Sequence, residues 1–204
     1  MSVSELSTST QNYLKAIWGL KEWSSEPVTA TLIAKQLGLK LSSVSDAVRK
    51  MAKQGLVSHT PYGSVELTEL GRQYALVMVR RHRLLESFLV QALGYTWDEV
   101  HNEAENLEHA VSDMLIERVD KFLDYPTRDP HGDPIPTVDG QITIPSAHRL
   151  TDSGAQSQVT VERISDSDPQ LLKFLEERGI VTGAVLSTRE GAPFSCLLYT
   201  SPSP

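Results

Sequence analysis

The feature that most constrains the fold is a pair of short helices with a glycine-bearing turn between them. Apolar residues at helical spacing predict one helix over residues 28–38 and a second over residues 41–54, each followed or ended by a glycine. Two strand-like pieces, residues 56–59 and 65–68, follow on either side of a turn that contains proline and glycine. Helix, turn, helix and β-hairpin in this order are typical of a winged helix-turn-helix domain.

The second helix of this pair carries a polar face that suits double-stranded DNA. Hydroxyl side chains near its N-terminus suit phosphates and base edges, and the cations that follow suit the DNA backbone. Asp46 is the one acid on this face and could accept a hydrogen bond from a cytosine amino group. The predicted DNA-binding residues are Ser42, Ser43, Ser45, Asp46, Arg49 and Lys50. The alternative is a winged helix that binds another protein, but the basic face favours DNA.

The charge of the chain is divided unevenly along its length. The formal net charge is −7 at pH 7. Residues 1–81 hold ten Lys and Arg against six Asp and Glu, whereas residues 82–204 hold nine against twenty. A basic first part and an acidic remainder are expected if only the first part binds a polyanion.

A second functional feature is the stretch 101–109, which contains two histidines and three carboxylates. On a helix, residues three and four positions apart lie on the same face, and the preceding helix adds a histidine and a glutamate at that spacing. Imidazoles and carboxylates on adjacent helices predict a divalent metal site. The candidate ligands are His82, Glu86, His101, Glu105, Glu108 and His109. The alternative is two amphipathic helices whose charged faces are merely solvated.

Helical periodicity continues around these features. We expect helices over residues 68–93 and 97–107, and another over roughly 108–123 that could be continuous with the one before it. Their apolar residues outnumber what one thin helical layer can bury, which predicts a homodimer interface. The proline-rich segment 125–136 contains His131, but a loop that packs on the helices is favoured there over a metal site.

The predicted fold class is mainly α, with a small β-rich module near the C-terminal end. Short β-like runs flank a helix over residues 169–178 in that module. The predicted domains are a winged helix-turn-helix domain in 1–75, a helical metal-binding and dimerisation domain in 76–140, a linker in 141–150 and a partial β domain in 151–194. Residues 195–204 fit nothing before them and are interpreted as a non-native tail, which would leave the small domain truncated.

Cysteine usage and hydropathy indicate the cellular compartment. Cys196 is the only cysteine, so neither a disulfide framework nor an all-thiolate zinc site is expected. The sequence has no apolar run long enough to span a bilayer and no recognisable signal peptide. We therefore expect a cytoplasmic protein with no membrane partner.

The chain resembles the DtxR/MntR family of metal-dependent transcriptional repressors over about residues 5–190. The motifs that carry the resemblance are Asn12–Leu14, Val44–Gly55, Leu67–Arg72, Arg81–Glu86, Trp97–His101, Glu105–His109 and Asp129–Pro136. The resemblance implies a winged helix, a helical dimerisation domain and a C-terminal SH3-like domain.

The resemblance also implies two metal sites. The primary, regulatory site would use Asn12, Glu105, Glu108 and His109, and the ancillary site would use His82, Glu86, His101 and Asp166. A further position that ligates metal in the family aligns with Arg163, which cannot bind a cation.

Two departures from the family bear on the metal. Iron-responsive members carry Cys and Met where this chain has Glu105 and Asn12, so the site here has no sulfur and its oxygen ligands favour Mn²⁺. Manganese members carry Asp at position 12, whereas Asn12 offers a neutral carbonyl oxygen. Fe²⁺ is the alternative ion.

The function expected from the resemblance is a homodimeric repressor that binds operator DNA when it is loaded with metal. A ligand from helix 1 of the winged helix would couple the metal to the DNA-binding domain. Two other functions are weighed against it. A metallohydrolase would use the His/Glu cluster with a metal-activated water, but the sequence has no His-Glu-x-x-His motif. A regulator that answers a small organic ligand would have no use for the paired clusters.

Overall fold

The fold is mainly helical and is seen in a computed structural model that describes residues 3–60, 63–154, 157–189 and 199–202. In chain order its helices and strands are α1 Thr8–Glu22, α2 Ala30–Leu37, α3 Leu41–Lys53, β1 Val57–His59, β2 Val65–Leu67, α4 Glu69–Leu93, α5 Trp97–Leu107, α6 Asp113–Phe122, β3 Gln158–Thr160, α7 Pro169–Glu176, β4 Val185–Arg189 and β5 Tyr199–Pro202. Two compact units form, one from residues 1–81 and 136–141 and the other from the remainder. None of the helices described is both long and apolar enough to span a membrane.

The winged helix-turn-helix in the first unit confirms the predicted fold class. Thr29 caps α2 by accepting a hydrogen bond from the Leu32 backbone at 3.3 Å, and Gly38 ends this helix with a φ of 64°. Strands β1 and β2 pair antiparallel, with Val57 opposite Leu67. The predicted wing tip includes residues 61–62, which lie outside the described residues. The core of the unit is formed by buried residues of α1, α2, α3 and the wing, among them Leu14, Ile17, Ile33, Val44, Val48, Met51 and Val65.

Helix α1 begins earlier than the sequence predicts. Apolar residues at helical spacing predict a helix from about residue 11 with Ser9 or Thr10 as its N-cap, but the helix begins at Thr8. Ser7 has an extended backbone, and its Oγ accepts a hydrogen bond from the Thr10 backbone at 3.3 Å. The run of hydroxyl residues offers several possible caps, and local sequence does not select one of them.

Gly71, near the start of α4, is required by a close backbone contact. A Cβ on Gly71 would lie 1.9 Å from the Leu56 carbonyl oxygen. We expect Gly71→Ala to lower the free energy of unfolding by about 1–3 kcal/mol, because backbone must move to relieve the overlap. Gly19→Ala is the matched control, since a Cβ there meets nothing within 4 Å. It should stabilise α1 by up to about 1 kcal/mol. Urea denaturation tests the pair, and equal stabilities for both variants would contradict the expectation.

In the second unit, the helix predicted over residues 108–123 is shorter and separate from α5. Helix α5 ends at Leu107, and α6 begins at Asp113 after a cap in which the Ser112 Oγ accepts a hydrogen bond from the Leu115 backbone at 3.2 Å. Glu108 and His109 therefore lie at the C-terminal end of α5 and in the turn after it. Residues of α4, α5 and α6 form the core of this unit, including Leu84, Leu85, Leu89, Val100, Ala104, Ile116 and Val119.

The C-terminal residues form a small antiparallel sheet in the order β3-β4-β5, with α7 between β3 and β4 in the chain. The Asp168 carboxylate caps α7 by accepting from the backbones of Gln170 and Leu171. Strand β5 lies within the segment interpreted as a non-native tail, the rest of which is outside the described residues. The origin of that tail and the predicted domain boundaries stay predictions.

Candidate metal centre

Helix α4 places two of the predicted ligands in the interior of the second unit. His82 and Glu86 lie one helical turn apart, and their exposed fractions are 6% and 1%. Buried ionisable side chains are rare unless they are paired or bind a metal ion. These two residues therefore form the base of the candidate site.

A first cluster joins these residues to α5 and to the segment before α7. The Glu86 Oε1 lies 3.0 Å from the His82 Nε2 and 3.3 Å from the His101 Nδ1. The His101 Nδ1 also lies 3.1 Å from the Asp166 Oδ2. Ligand atoms of the four residues all lie within 4.8 Å of one another. The structure thus brings together the four side chains predicted for the ancillary site.

The charges of this cluster favour a cation among its carboxylates. Burial alone would lower the pKa of His101, but hydrogen bonds to Asp166 and Glu86 and the charges of both outweigh it and raise the pKa to about 10. Burial works to raise the pKa of Glu86, yet the charge of His82 and hydrogen bonds with His101 and His82 hold it well below its usual value. At Asp166, burial also works to raise the pKa, but the hydrogen bond with His101 and the charge of His101 outweigh it. The pKa of the Asp166 carboxyl is therefore lowered. The cluster therefore stabilises positive charge, which a divalent ion would supply.

A second cluster uses the other ring nitrogen of His82. The His82 Nδ1 lies 2.6 Å from the Glu108 Oε2, and ligand atoms of His82, Glu105 and Glu108 lie within 4.8 Å of one another. The Glu108 Oε1 lies 3.4 Å from the His109 Nε2. The structure thus brings together Glu105 and Glu108, two of the predicted primary ligands, and His109 contacts this group through Glu108. It adds His82, which the sequence assigned to the ancillary site alone.

Asn12, the remaining predicted ligand, lies on α1 in the first unit. Its Oδ1 atom is buried and has no hydrogen-bond partner among the described residues. Buried carbonyl oxygens are normally hydrogen-bonded, so an unpaired one is consistent with a ligand atom. The other three predicted primary ligands belong to the second unit. The participation of Asn12 in a site with them stays a prediction.

Arg83 and Asp133 form an ion-pair network that the sequence did not reveal as part of the site. The Arg83 guanidinium donates to the Pro134 carbonyl at 2.6 Å and lies 3.3 Å from the Asp133 carboxylate. The Arg163 Nε donates to the same carboxylate at 2.6 Å. Arg163, which cannot ligate a cation, thus holds Asp133 in place instead. The partners lie far apart in sequence, and the only local signal was the repeated Asp and Pro between residues 125 and 136.

Asp129 shares this network and adds a further buried carboxyl. Its carboxylate lies 3.6 Å from the Arg83 Nε. Burial and the neighbouring charges of Glu86 and Asp133 raise the pKa of Asp129 well above its usual value, although Arg83 partly opposes them. Asp129 therefore keeps a proton more readily than an ordinary aspartate does.

The predicted DNA-binding face of α3 is solvent-exposed. Ser42, Ser43, Asp46, Arg49 and Lys50 are exposed and Ser45 is half-buried. Asp46 forms an ion pair with Arg49 one turn later. Both partners are largely exposed, so the pair can open at little cost when DNA binds.

The donor set of the two clusters fits a divalent metal ion. The described ligands are imidazole nitrogens and carboxylate oxygens, several of them buried, and the ligand atoms of each group lie within 4.8 Å of one another. Imidazole suits Fe and Zn, and carboxylate suits Mn, so chemistry alone admits more than one first-row metal.

Comparison with known protein families agrees with this organisation. Residues 5–65 match the N-terminal DNA binding domain of iron dependent repressors, and residues 68–137 match the metal binding and dimerisation domain of the same repressors. Residues 148–199 match the FeoA domain.

Individual relatives cover most of the chain. It is 35% identical over 194 residues to the iron-dependent repressor IdeR of Mycobacterium tuberculosis, covering 89% of this chain and 84% of that protein. The structure of a manganese-dependent transcriptional repressor in complex with manganese matches with a TM-score of 0.86 at 51% identity, covering 91% of this chain and 85% of that one. ScaR with bound Zn²⁺ matches with a TM-score of 0.81 at 32% identity, covering 95% and 90%.

Proposed function

Because the chain belongs to the iron-dependent repressor family, we propose that it represses transcription in response to Mn²⁺. The protein is a metal-dependent transcriptional repressor that binds operator DNA and forms a homodimer. It is not an enzyme, so the metallohydrolase alternative is wrong. The cytoplasm is the proposed compartment, because the bacterial relatives are repressors.

The observation that carries the manganese proposal is the composition of the two clusters. Their described donors are imidazoles and carboxylates without sulfur, and carboxylates outnumber imidazoles in the second cluster. Hard oxygen ligands suit Mn²⁺. The 51% identity to a manganese-dependent repressor supports the same ion. Fe²⁺ is the alternative, which the 35% identity to IdeR favours.

We assign the residues to two sites. Glu105, Glu108, His109 and Asn12 are the proposed ligands of the primary site, and His82, Glu86, His101 and Asp166 are those of the ancillary site. His82 lies against Glu86 through Nε2 and against Glu108 through Nδ1. A change at His82 should therefore weaken both sites, whereas a change at Asp166 should weaken the ancillary site alone.

The ion would supply positive charge that draws the ligands into one fixed arrangement. Glu108 is fully buried and contacts both His82 and His109, so it orients two imidazoles at once. With Asn12 as a ligand, metal binding would also fix α1 of the winged helix. Metal and operator would then strengthen each other's binding.

A face of α6 suits the homodimer interface of the repressor. Met114, Leu115 and Phe122 are 65%, 45% and 66% exposed. Leu85 and Leu89 of α4 are buried inside the unit. We propose that the exposed residues of α6, and not these two, contact the partner subunit.

The contacts of α3 with DNA can be tested through their salt dependence. Lys50→Ala should weaken operator binding and reduce the slope of log affinity against log salt by about 0.9 per lost phosphate contact. Lys173→Ala, which removes an exposed cation of α7, is the control and should leave the slope unchanged. Fluorescence anisotropy at several salt concentrations measures both. Equal slopes for the two variants would remove Lys50 from the interface.

The identity of the ion is tested with a labelled DNA duplex that the protein selects from a random pool in the presence of Mn²⁺. Anisotropy at fixed salt then gives the duplex affinity with saturating Mn²⁺, with Fe²⁺ under anaerobic conditions and with Zn²⁺. Saturating ions are compared because Mn²⁺ binds most sites more weakly than Fe²⁺ does. We expect the highest duplex affinity with Mn²⁺. A higher affinity with Fe²⁺ would favour the iron-responsive alternative.

A further inference from the structure

Asp46 is an isolated acid at the centre of the proposed DNA-binding face of α3. It is the only Asp or Glu in residues 27–65, a segment that holds five Lys and Arg. Val44, Val48 and Met51 are buried, so the opposite side of α3, on which Asp46 lies, faces solvent. The phosphates of DNA repel a carboxylate that is directed at them, so a single acid at this position is unexpected.

The ion pair between Asp46 and Arg49 adds little to the stability of α3. The Asp46 carboxylate accepts a hydrogen bond from the Arg49 guanidinium one turn later, and the two side chains are 71% and 69% exposed. Aspartate is a poor helix former in a helix interior, and an exposed ion pair at this spacing offsets only part of that cost. What the pair does change is the direction of the Arg49 side chain.

Asp46 limits the positions that the Arg49 guanidinium can reach. The Asp46 Oδ1 holds the Nη2 atom of the guanidinium. A free arginine on this face would turn towards the nearest phosphate, whereas a held one keeps its planar fork on the solvent side of α3. Opening the pair costs little in the free protein, but beside DNA it would leave the carboxylate unpaired among phosphates. Bound DNA should therefore keep the pair closed.

The closed pair has donors left for the edge of one base. A guanidinium carries five N–H groups and no acceptor, so hydrogens on Nη1 and Nη2 of Arg49 remain for two neighbouring acceptors. In the major groove only guanine presents two acceptors side by side, O6 and N7. Adenine and cytosine place an amino donor there, and thymine presents a single acceptor beside its methyl group. The pair therefore fits guanine better than any of the other three bases.

We propose that Arg49 recognises a guanine in each operator half-site and that Asp46 is the positioning residue that orients it. The inference rests on the proposed contact between α3 and DNA, and it adds which base this contact selects. Lys50 and Lys53, which are also exposed on α3, remain for the phosphates, so affinity and base selection depend on different residues. In the competing arrangement Asp46 itself accepts from a cytosine amino group, and Arg49 binds a phosphate.

The first test replaces each guanine of the selected duplex in turn by 7-deazaguanine, which keeps its base pairing but has no N7 acceptor. Fluorescence anisotropy with saturating Mn²⁺ gives the affinity for each duplex at fixed salt. We expect one guanine per half-site at which this replacement weakens binding by the wild type but not by Arg49→Ala. Exchanging that G·C pair for A·T should weaken wild-type binding by about 5–150-fold, the range for one bidentate base contact. If no guanine separates the two proteins, the proposal is overturned.

A second test separates positioning from a direct base contact at Asp46. Its readout is the preference for guanine, which is the ratio of the affinities for the selected duplex and for the duplex with that pair exchanged. Asp46→Ala should lower this preference, while its affinity for a duplex of unrelated sequence rises because an acid is lost and Arg49 can reach a phosphate. The slope of log affinity against log salt on the unrelated duplex should steepen by about 0.9. Asp46→Asn, which keeps an oxygen acceptor for Nη2, should retain more of the preference than Asp46→Ala.

Glu69→Ala is the matched control for these measurements. Glu69 pairs with Arg72 at 3.9 Å with the same spacing on α4, and its side chain is 73% exposed. This variant loses the same charge and should keep the full preference for guanine. In the Arg49→Ala background, Asp46→Ala should cause no further loss of preference, because the two residues act as one unit. A further loss would show that Asp46 contacts a base itself and would overturn its positioning role.

Lys50→Ala distinguishes failure of this proposal from failure of the proposed DNA-binding face. If Lys50→Ala weakens binding to every duplex equally but Arg49→Ala changes nothing, the guanine contact is wrong and α3 remains the DNA-binding helix. If neither change affects binding to any duplex, α3 is not the interface and both proposals fail.

Discussion

Replacing Glu108 by glutamine is expected to abolish the Mn²⁺-dependent part of operator binding. Glu108 is fully buried, and its two oxygens lie 2.6 Å from the His82 Nδ1 and 3.4 Å from the His109 Nε2. Partners that only orient a metal ligand already contribute about 10–100-fold to metal affinity. Because Glu108 is proposed to ligate as well as to orient, we expect a loss of Mn²⁺ affinity of at least about 100-fold.

Equilibrium dialysis measures the Mn²⁺ affinity of the variant, and fluorescence anisotropy measures its affinity for the labelled DNA duplex. Glu103→Gln is the matched control, since it makes the same chemical change on α5 outside the clusters. It should leave both affinities within about twofold, because an isolated partly exposed charge contributes little. A Glu108→Gln protein that responds to Mn²⁺ like the control would remove Glu108 from the regulatory site.

Replacing Arg83 by leucine is expected to destabilise the second unit by about 3–5 kcal/mol. Arg83 is 6% exposed and lies close to the carboxylates of Asp129 and Asp133 while it donates to the Pro134 carbonyl. Without the guanidinium, buried negative charge and a buried carbonyl lose their partner. Arg163 still pairs with Asp133, so the loss should fall at the lower end of the range.

Arg128→Leu is the control for this stability measurement. Arg128 pairs with Glu162 at 2.7 Å, but the two side chains are 43% and 41% exposed. An exposed ion pair contributes less than about 1 kcal/mol. Urea denaturation in the presence of EDTA compares the variants without a contribution from bound metal. Equal losses of unfolding free energy in Arg83→Leu and Arg128→Leu would show that burial of the Arg83 ion pairs does not determine how much they stabilise the protein.

The winged helix-turn-helix could be predicted because its signals are local. Thr29 as a cap, Gly38 in the left-handed conformation and two short β-runs each act within a few residues of their own position. The start of a helix is harder to predict where several adjacent hydroxyl residues could each serve as the N-cap, as the start of α1 at Thr8 shows. The start of α6 at Asp113 was missed because the cap by Ser112 was not recognised.

The proximity of the proposed metal ligands within the second unit was predicted in part, but the individual contacts between them were not. Helical spacing placed His82 beside Glu86 and His101 beside Glu105. Spacing does not reveal that Asp166 lies 3.1 Å from the His101 Nδ1, since the two residues are far apart in the chain. The direction of the second His82 nitrogen towards Glu108 depends on how α4 and the end of α5 pack.

His131 shows why local patterns mislead in a proline-rich loop. Pro130 and Gly132 predicted a turn, and the turn is present. The sequence does not reveal that this turn directs the imidazole to an oxygen of Glu86 that has no hydrogen-bond partner among the described residues and lies 45 positions earlier. Burial and unpaired atoms are properties of the folded chain, and only the structure exposes them.

The central claim is that metal binding and operator binding are coupled, and the most direct test is the affinity for Mn²⁺ with and without DNA. Isothermal titration of the metal-depleted protein with Mn²⁺ is carried out alone and with a saturating amount of the selected duplex. Coupling must be reciprocal, so the duplex should raise the Mn²⁺ affinity by the same factor by which Mn²⁺ raises the duplex affinity, roughly 5–150-fold. An Mn²⁺ affinity that the duplex leaves unchanged would contradict the claim.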